Sequence, residues 1–422
     1  MLDIKLIRET PETIKAALKR KGLDTSVLDE LLETDLKRRE LITETESLKH
    51  SRKQASVEIG MLKKSGGDSD AQQIAVRETG VRISELDAQV VVLAGEIKDI
   101  LLRIPNVPHS STPDGLDAAS NKEVKKWGVP GIFDFSPKSH VELGEKLGIF
   151  DFARAAKISG SGFPMYVGLG ARLERALIQF MLDIHVKEHG YTEVSTPFMC
   201  NSRAMTGTGQ LPKMADDMYH VPTEDLWLIP TAEVPVTNIY GDEIIEAPLP
   251  VYLCAYSPCF RKEAGAAGKD TRGLIRVHQF DKVEMVKFVK PDTSYDELGK
   301  LLQNAEDILQ RLGQPYRILS LCAGDLSFAA AKCYDIEIWA AGQNDWLEVS
   351  SCSNFESFQA RRAGIRYRGE NKKPEFVHTL NGSGVALARL VVAIIENGQQ
   401  ADGSVVLPEA IVPYMGGIDR IQ

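Results

Sequence analysis

Paired cysteines, long apolar runs and an excess of positive charge are all missing from this chain of 422 residues, and each absence removes a class of function. The six cysteines, Cys200, Cys254, Cys259, Cys322, Cys333 and Cys352, form no CxxC pair, which disfavours a zinc knuckle. With no apparent signal peptide, a disulfide framework is disfavoured too, and the thiols are expected to be free and buried in a cytoplasmic protein. No apolar run approaches the ~20 residues that a membrane helix needs. Lys and Arg, 50 together, are outnumbered by 59 Asp and Glu, leaving a formal charge of -9. Such a chain does not grip nucleic acid by bulk electrostatics, so any RNA contact must come from local basic patches. Neither GxGxxG opening a βαβ unit nor a GxxxxGKS/T loop occurs, which disfavours the commonest nucleotide folds.

Proline is absent from residues 27–104, a charged stretch that follows a short helical opening to about Lys21 and breaks at Ser65, Gly66, Gly67 and Asp68. Its second half carries Val76, Thr79, Ile83, Leu86, Val90, Leu93, Ile97, Ile100 and Ile104 at alternating three-four spacing, the pattern of a coiled-coil seam. The first half answers more weakly with Leu41, Thr45, Leu48, Arg52, Ala55, Ile59 and Leu62. The spacing predicts a hairpin of two long antiparallel helices, each about 50 Å long at roughly 1.5 Å per residue. Lys49, Arg52, Lys53, Lys63 and Lys64, opposed only by Glu58, make the outer part of the first helix basic. Pro105, Pro108 and the small polar residues up to about Ser120 read as a linker. The expected division is an arm domain at 1–107, a linker at 108–120 and a larger domain at 121–422, with ample core in the last.

Three elements of the larger domain carry chemistry. Residues 256–284 read YSPCFRKEAGAAGKDTRGLIRVHQFDKVE, setting Arg261 and Glu263 on one face of an apparent strand. A loop with Gly265, Gly268 and Gly273 follows; its lack of bulk would let it move over a ligand, with Lys269, Asp270 and Arg272 to meet a polar partner. A strand-like return from Leu274 then presents Arg276, Val277, Phe280 and Glu284. Arginine for phosphate, carboxylates for amines and an aromatic ring for a base suit a nucleotide and an amino acid held together. The second element turns from a strand through Asn381, Gly382, Ser383 and Gly384 into an apolar helix with Arg389, a phosphate-friendly arrangement. The third is an amphipathic helix over 173–190, stopped by Gly190 and followed by a strand ending at Pro197. Taken singly, each admits a plainer reading: a hairpin with a charged tip, a glycine-rich helix start with one surface arginine, a core helix and its strand.

Together with TGTGQLPKM (206–214), LIPTAEVPVTN (228–238) and EVSSCSN (348–354), these elements resemble the signature motifs of class II aminoacyl-tRNA synthetases, and more closely those of bacterial-type seryl-tRNA synthetases, over essentially the full length. The resemblance implies an α+β fold: an antiparallel sheet flanked by helices, preceded by an antiparallel coiled-coil arm. It implies an ATP-dependent ligase that activates L-serine to seryl-adenylate and transfers it to serine tRNA, leaving selenocysteine tRNA open as a further substrate. A homodimer is implied around Pro197. The arm would hold the long variable arm of serine tRNA through Lys49, Arg52, Lys53, Lys63 and Lys64.

Roles carried over from the resemblance follow. Arg261 would hold the α-phosphate and the serine carboxylate, Arg276 would add charge nearby, and Arg389 would take the γ-phosphate. Glu263 would accept from the adenine amino group while Phe280 stacks on the ring, with Val277, Val349 and Ser350 completing the ATP site. Glu348 and Ser351 would ligate Mg2+, an ion that prefers oxygen. Serine would be bound by Thr231, Ala232, Glu233, Arg261, Glu284, Asn381 and Ser383. Three alternatives stand beside this: a class II paralogue that charges a carrier protein, expected to lack the arm; a catalytically silent binding protein, expected to have lost the arginines; and a coiled-coil interaction protein, which leaves the motif cluster unexplained.

Overall fold

A computed structural model describes residues 1–264 and 273–422. Gly265, Gly268, Lys269, Asp270 and Arg272 of the glycine loop lie outside the described residues. The chain divides into two compact units, one made of residues 2–19 and 23–105, the other of residues 1, 20–22 and 106–422.

The smaller unit is built on helices Ser26–Lys64 and Asp70–Arg103, which run antiparallel over 39 and 34 residues. The heptads explain why they pair. Every seam position of the second helix is buried or half-buried, and so are Leu41, Thr45, Leu48, Ala55, Ile59 and Leu62 of the first. Arg52 is the exception: it occupies a seam position by count but is exposed, because a guanidinium is too costly to bury unpaired. At the tip the Ser65 N–H bonds back to the Met61 and Leu62 carbonyls, and Gly66 at φ +76° ends the helix in a left-handed step. Lys49–Asp87 and Arg82–Glu44, both at 3.0 Å, tie the two helices across the surface. The helical opening is two helices, Ile4–Glu9 and Pro11–Lys19; Pro11 has no N–H to bond and so starts the second. They bury Ile7, Ile14 and Leu18, and Arg8 and Lys15 pair with Asp35 and Asp29 of the first long helix.

The larger unit is an eight-stranded sheet flanked by helices. Its strands are β1 (Lys122–Trp127), β2 (Thr192–Glu193), β3 (Val251–Phe260), β4 (Gln279–Val289), β5 (Tyr316–Ser320), β6 (Lys332–Ala340), β7 (Asp345–Asn354) and β8 (His378–Ala386). The spatial order is β1-β5-β6-β7-β8-β4-β3-β2, antiparallel throughout except for the parallel β2–β3 pair. Helices Leu169–Lys187, Ser294–Arg311 and Leu387–Gly398 bury their apolar faces in one core with the strands. Residues 106–112, within the stretch read as ending one domain and beginning a linker, are pinned onto this unit: the Asn106 amide donates to the Ala329 and Phe355 carbonyls and His109 N–H to Ala331. All six cysteines are free and buried.

Four local expectations need correction. The strand carrying the first arginine stops at Phe260, so Arg261 and Glu263 lie beyond it; Glu263, at φ +52°, is incompatible with a continuing strand. The return from Leu274 to His278 is irregular, and β4 begins only at Gln279. Asn381, Gly382, Ser383 and Gly384 do not turn; they lie inside β8, which bulges between Ser383 and Ala386 before the helix starts at Leu387. The amphipathic helix starts at Leu169 rather than 173, and β2 holds only two residues, so Pro197 lies outside any strand.

Candidate active site

The two limbs of the glycine loop are fastened from different directions. On the outgoing limb, Arg261 N–H donates to the His278 carbonyl at 2.9 Å, while Lys262 and Ala264 N–H groups bond to Asp217. The Arg261 guanidinium sits 5.2 Å from the centre of the Phe280 ring. On the returning limb, Leu274 N–H donates to Nε2 of His140 at 3.0 Å. A backbone N–H only donates, so this Nε2 bears the lone pair and Nδ1–H must be the donor to Glu396 Oε1, 2.8 Å away. Glu396, fully buried, also accepts from the His140, Gly342 and Gln343 N–H groups, which satisfies its charge. Gly273, at φ +73°, has room for nothing larger: a Cβ there would meet His140 Nε2 at 2.1 Å. Arg389 completes the fastening by donating from Nε to the Ile275 carbonyl.

Register assembles the amine-binding side. On the middle strand β4, Glu284 lies opposite Ala255 on one neighbour and Ser383 on the other. Thr231 Oγ1 donates to Glu284 Oε2 at 2.8 Å, Lys282 Nζ donates to Thr231 Oγ1 at 2.9 Å, and Lys282 also ion-pairs with Glu284. Glu233 accepts from Gln359 Nε2 at 2.6 Å. Burial, and then the neighbouring charge of Glu284, push the Glu233 carboxyl up to about 7. Lys282 and Gln359 were missed from the sequence. Lys282 was legible in principle, since Phe280, Lys282 and Glu284 alternate onto one face; Gln359 had no local signal.

These groups converge on one cavity of about 500 Å³. Arg261, Arg276, Arg389, Glu263, Val277, Phe280, Glu348, Val349, Ser351, Thr231, Glu233, Glu284, Asn381 and Ser383 all line it. Ala232 and Ser350 do not: Ala232 is in a neighbouring apolar cluster, and Ser350 lies beneath the wall, donating to the Ser383 carbonyl at 2.6 Å. Arg276 Nη1 donates to Glu263 Oε2 at 3.1 Å, and Arg389 Nη1 donates to the Glu348 carbonyl at 2.8 Å, so the cations are held at the rim by local acceptors. Asp335 faces Ser351 across β6 and β7, and burial together with the Glu348 charge raises its carboxyl. Glu348, half-exposed, and Ser351 both line the cavity and offer oxygen donors of the kind Mg2+ prefers, whereas Asp335 does not line it.

The tRNA synthetase class II core domain family (G, H, P, S and T) matches residues 219–398, and the seryl-tRNA synthetase N-terminal domain family matches residues 1–108. Proteins named serine–tRNA ligase from Carboxydothermus hydrogenoformans and Geobacillus kaustophilus are each 56% identical to the chain over all of its length and 99% and 100% of their own. The chain belongs to the seryl-tRNA synthetases. Among solved structures, the seryl-tRNA synthetase of Pyrococcus horikoshii complexed with ATP superposes with a TM-score of 0.96 at 41% identity, covering 100% of this chain and 99% of that one. The cytoplasmic serine–tRNA ligase of Naegleria fowleri in complex with AMP follows at 0.91 and 30%, with the same coverage. The fold of this seryl-tRNA synthetase is accordingly the class II synthetase fold. Lys49, Arg52, Lys53, Lys63 and Lys64 are exposed on the first arm helix, Lys49 turned to Asp87 and Lys63 to Gln73. Among the described residues no helix is long and apolar enough to cross a membrane.

Proposed function

We propose that the cavity activates serine at the expense of ATP and that the arm presents the tRNA. As a seryl-tRNA synthetase the chain is an ATP-dependent aminoacyl-tRNA ligase acting on serine, ATP and tRNA. The serine carboxylate attacks the α-phosphorus and pyrophosphate leaves, a reaction helped chiefly by positioning and charge neutralisation. Arg261 holds the α-phosphate and the serine carboxylate, Arg276 supports it, and Arg389 takes the γ-phosphate; guanidinium forks match phosphate oxygens and stay charged. Glu263 accepts from the adenine amino group, Phe280 stacks on the ring, and Val277 and Val349 wall the site. Glu348 and Ser351 would hold Mg2+, which when bound would neutralise phosphate charge. Glu233 and Glu284 receive the serine ammonium, and Thr231, Asn381 and Ser383 enclose the hydroxymethyl group, with threonine excluded by shape. The convergence of Arg261, Arg276 and Arg389 with Glu233 and Glu284 in one cavity supports this reading.

The domain division follows function: an arm domain at 1–107 that grips the variable arm of serine tRNA, a linker at 108–120 and a catalytic domain at 121–422. The family resemblance around Pro197 supports a homodimer, and the substrates and free thiols suit the cytoplasm.

Charging of total tRNA with each of the twenty amino acids tests the reading. Serine alone should be transferred. Alanine should be refused by roughly 10⁴-fold or more, because a site built to bond a hydroxyl is left unpaired without it. Comparable charging with another amino acid would overturn the assignment. A pH dependence follows from Glu233. Its raised pKa means that it gains a proton as pH falls through about 7, and a neutral carboxyl attracts an ammonium poorly. The KM for serine in pyrophosphate exchange should therefore rise about tenfold per pH unit below that point, and Glu233→Gln should flatten the rise while binding serine weakly throughout. A wild-type KM independent of pH between about 6 and 8 would count against the role.

A further inference from the structure

Gln359 lies in the first turn of helix Phe358–Ala363, buried behind the amine side of the cavity and not part of its lining. Its side-chain amide meets groups from three separate elements. Nε2 stands 2.6 Å from Glu233 Oε1 and 3.1 Å from the Thr208 carbonyl, and Oε1 stands 2.7 Å from Thr379 Oγ1. Chemistry fixes which way round the amide sits. The Thr208 carbonyl, at the end of helix Ser202–Thr208, can only accept, so the nitrogen must face it and the oxygen must take the Thr379 hydroxyl hydrogen. Turned over, the amide would set its oxygen against a carbonyl and a carboxylate in a buried setting, leaving acceptors without donors. Both hydrogens of Nε2 are therefore committed, and one of them is always aimed at Glu233. The Glu233 carboxyl is faced by Glu284 and Lys282 from β4, Gln359 from its helix and Asn381 from β8. Burial and the charge of Glu284 favour the protonated form; the Gln359 hydrogen bond opposes them first, ahead of Lys282 and Asn381. Lys282 divides its charge between Glu284 and the Thr231 hydroxyl. The 2.6 Å bond from Gln359 is of the short, charge-assisted kind, which favours an ionised acceptor.

We propose that Gln359 is a positioning residue for serine activation: without touching the amino acid, it holds the Glu233 carboxylate ionised and aimed at the serine ammonium. The inference rests on the reading of Glu233 as a receptor for that ammonium. Thr379, Asn381 and Ser383 alternate along β8 and so share one of its faces. Through Thr379 the same amide ties the carboxylate to the strand that supplies two further members of the serine site.

The test follows serine-dependent pyrophosphate exchange against pH on the full-length enzyme, together with the protons released when serine binds, measured by calorimetry in buffers of different ionisation enthalpy. Gln359→Met, which keeps the length and loses the donors, should move the break in KM for serine upward by about one to two pH units, the scale of one hydrogen bond to a charged group. At pH near 7 the KM for serine should then rise on the order of tenfold, and proton release should increase, because more of Glu233 must be ionised for serine to bind. The KM for ATP, and kcat at saturating serine, should stay at wild-type values. Should Gln359→Met fail to fold, Gln359→Asn, which keeps the amide and withdraws it by one methylene, should move the break in the same direction. A role confined to packing would lower thermal stability and leave the break where it is. A wild-type break near 7 that neither variant moves, or a KM for ATP that rises in parallel, would overturn the proposal while sparing the role of Glu233. A wild-type enzyme with neither a break nor proton release would sink the reading of Glu233, and the proposal with it.

Discussion

Arg261→Ala should reduce serine-dependent exchange of pyrophosphate into ATP by on the order of 10²–10³-fold or more, while thermal unfolding stays unchanged. The guanidinium is exposed at the cavity rim, its hydrogen bond to the Pro230 carbonyl is long at 3.4 Å, and among the described residues it also meets the face of Phe280. A side chain so lightly engaged contributes little to stability, usually within about 0.5 kcal/mol for a surface position. Its proposed ligands are an oxyanion pair, which a planar fork can bridge. Arg261→Lys should for that reason recover only part of the loss, because an ammonium restores charge without geometry. A variant with near-normal exchange would remove Arg261 from the α-phosphate.

Replacing residues 27–104 with a short linker should spare seryl-adenylate formation and reduce tRNA charging to near background. Every residue lining the cavity belongs to the larger unit, so the first half-reaction has no need of the arm helices. The deletion also removes Asp29 and Asp35, the ion-pair partners of Lys15 and Arg8 in the opening helices, so a gentler variant is needed beside it. Changing Lys49, Arg52, Lys53, Lys63 and Lys64 to glutamate preserves the helices and should raise the KM for tRNA steeply. It should also flatten the dependence of affinity on salt by about one unit of log–log slope per lost phosphate contact. Charging equal to wild type in either variant would remove the arm from tRNA recognition.

The arm was legible because its information is periodic: an apolar residue every three or four positions dictates which side faces inward, and Ile83, Leu86, Ile97 and Ile100 are buried as the spacing requires. The site was legible through the identity of its charged residues and less so through their conformation. Alternation suggested that Arg261 and Glu263 share a strand face, yet the backbone leaves the strand at Phe260, where Lys262 and Ala264 are drawn to Asp217, a residue more than forty positions away. Asn381 to Gly384 looked like a turn because glycines permit one; pairing of β8 with β4 kept the segment extended and absorbed the irregularity in a bulge. Lys282 escaped notice because lysine is seldom buried, and its two partners become visible only when the 228–238 segment is brought beside β4. His140 and Glu396 likewise hold the returning limb only through neighbours distant in sequence.

The buried lysine has a further consequence for what the enzyme accepts. Around Thr231 the cavity holds one more carboxylate than ammonium, Glu233 and Glu284 against Lys282. An α-amino acid brings the missing countercharge. Glycerate, which shares the hydroxymethyl end but carries a hydroxyl where serine has nitrogen, does not, and its binding would favour protonated Glu233, whose carboxyl burial already pushes up to about 7. Discrimination is thus built into both ends of so small a molecule.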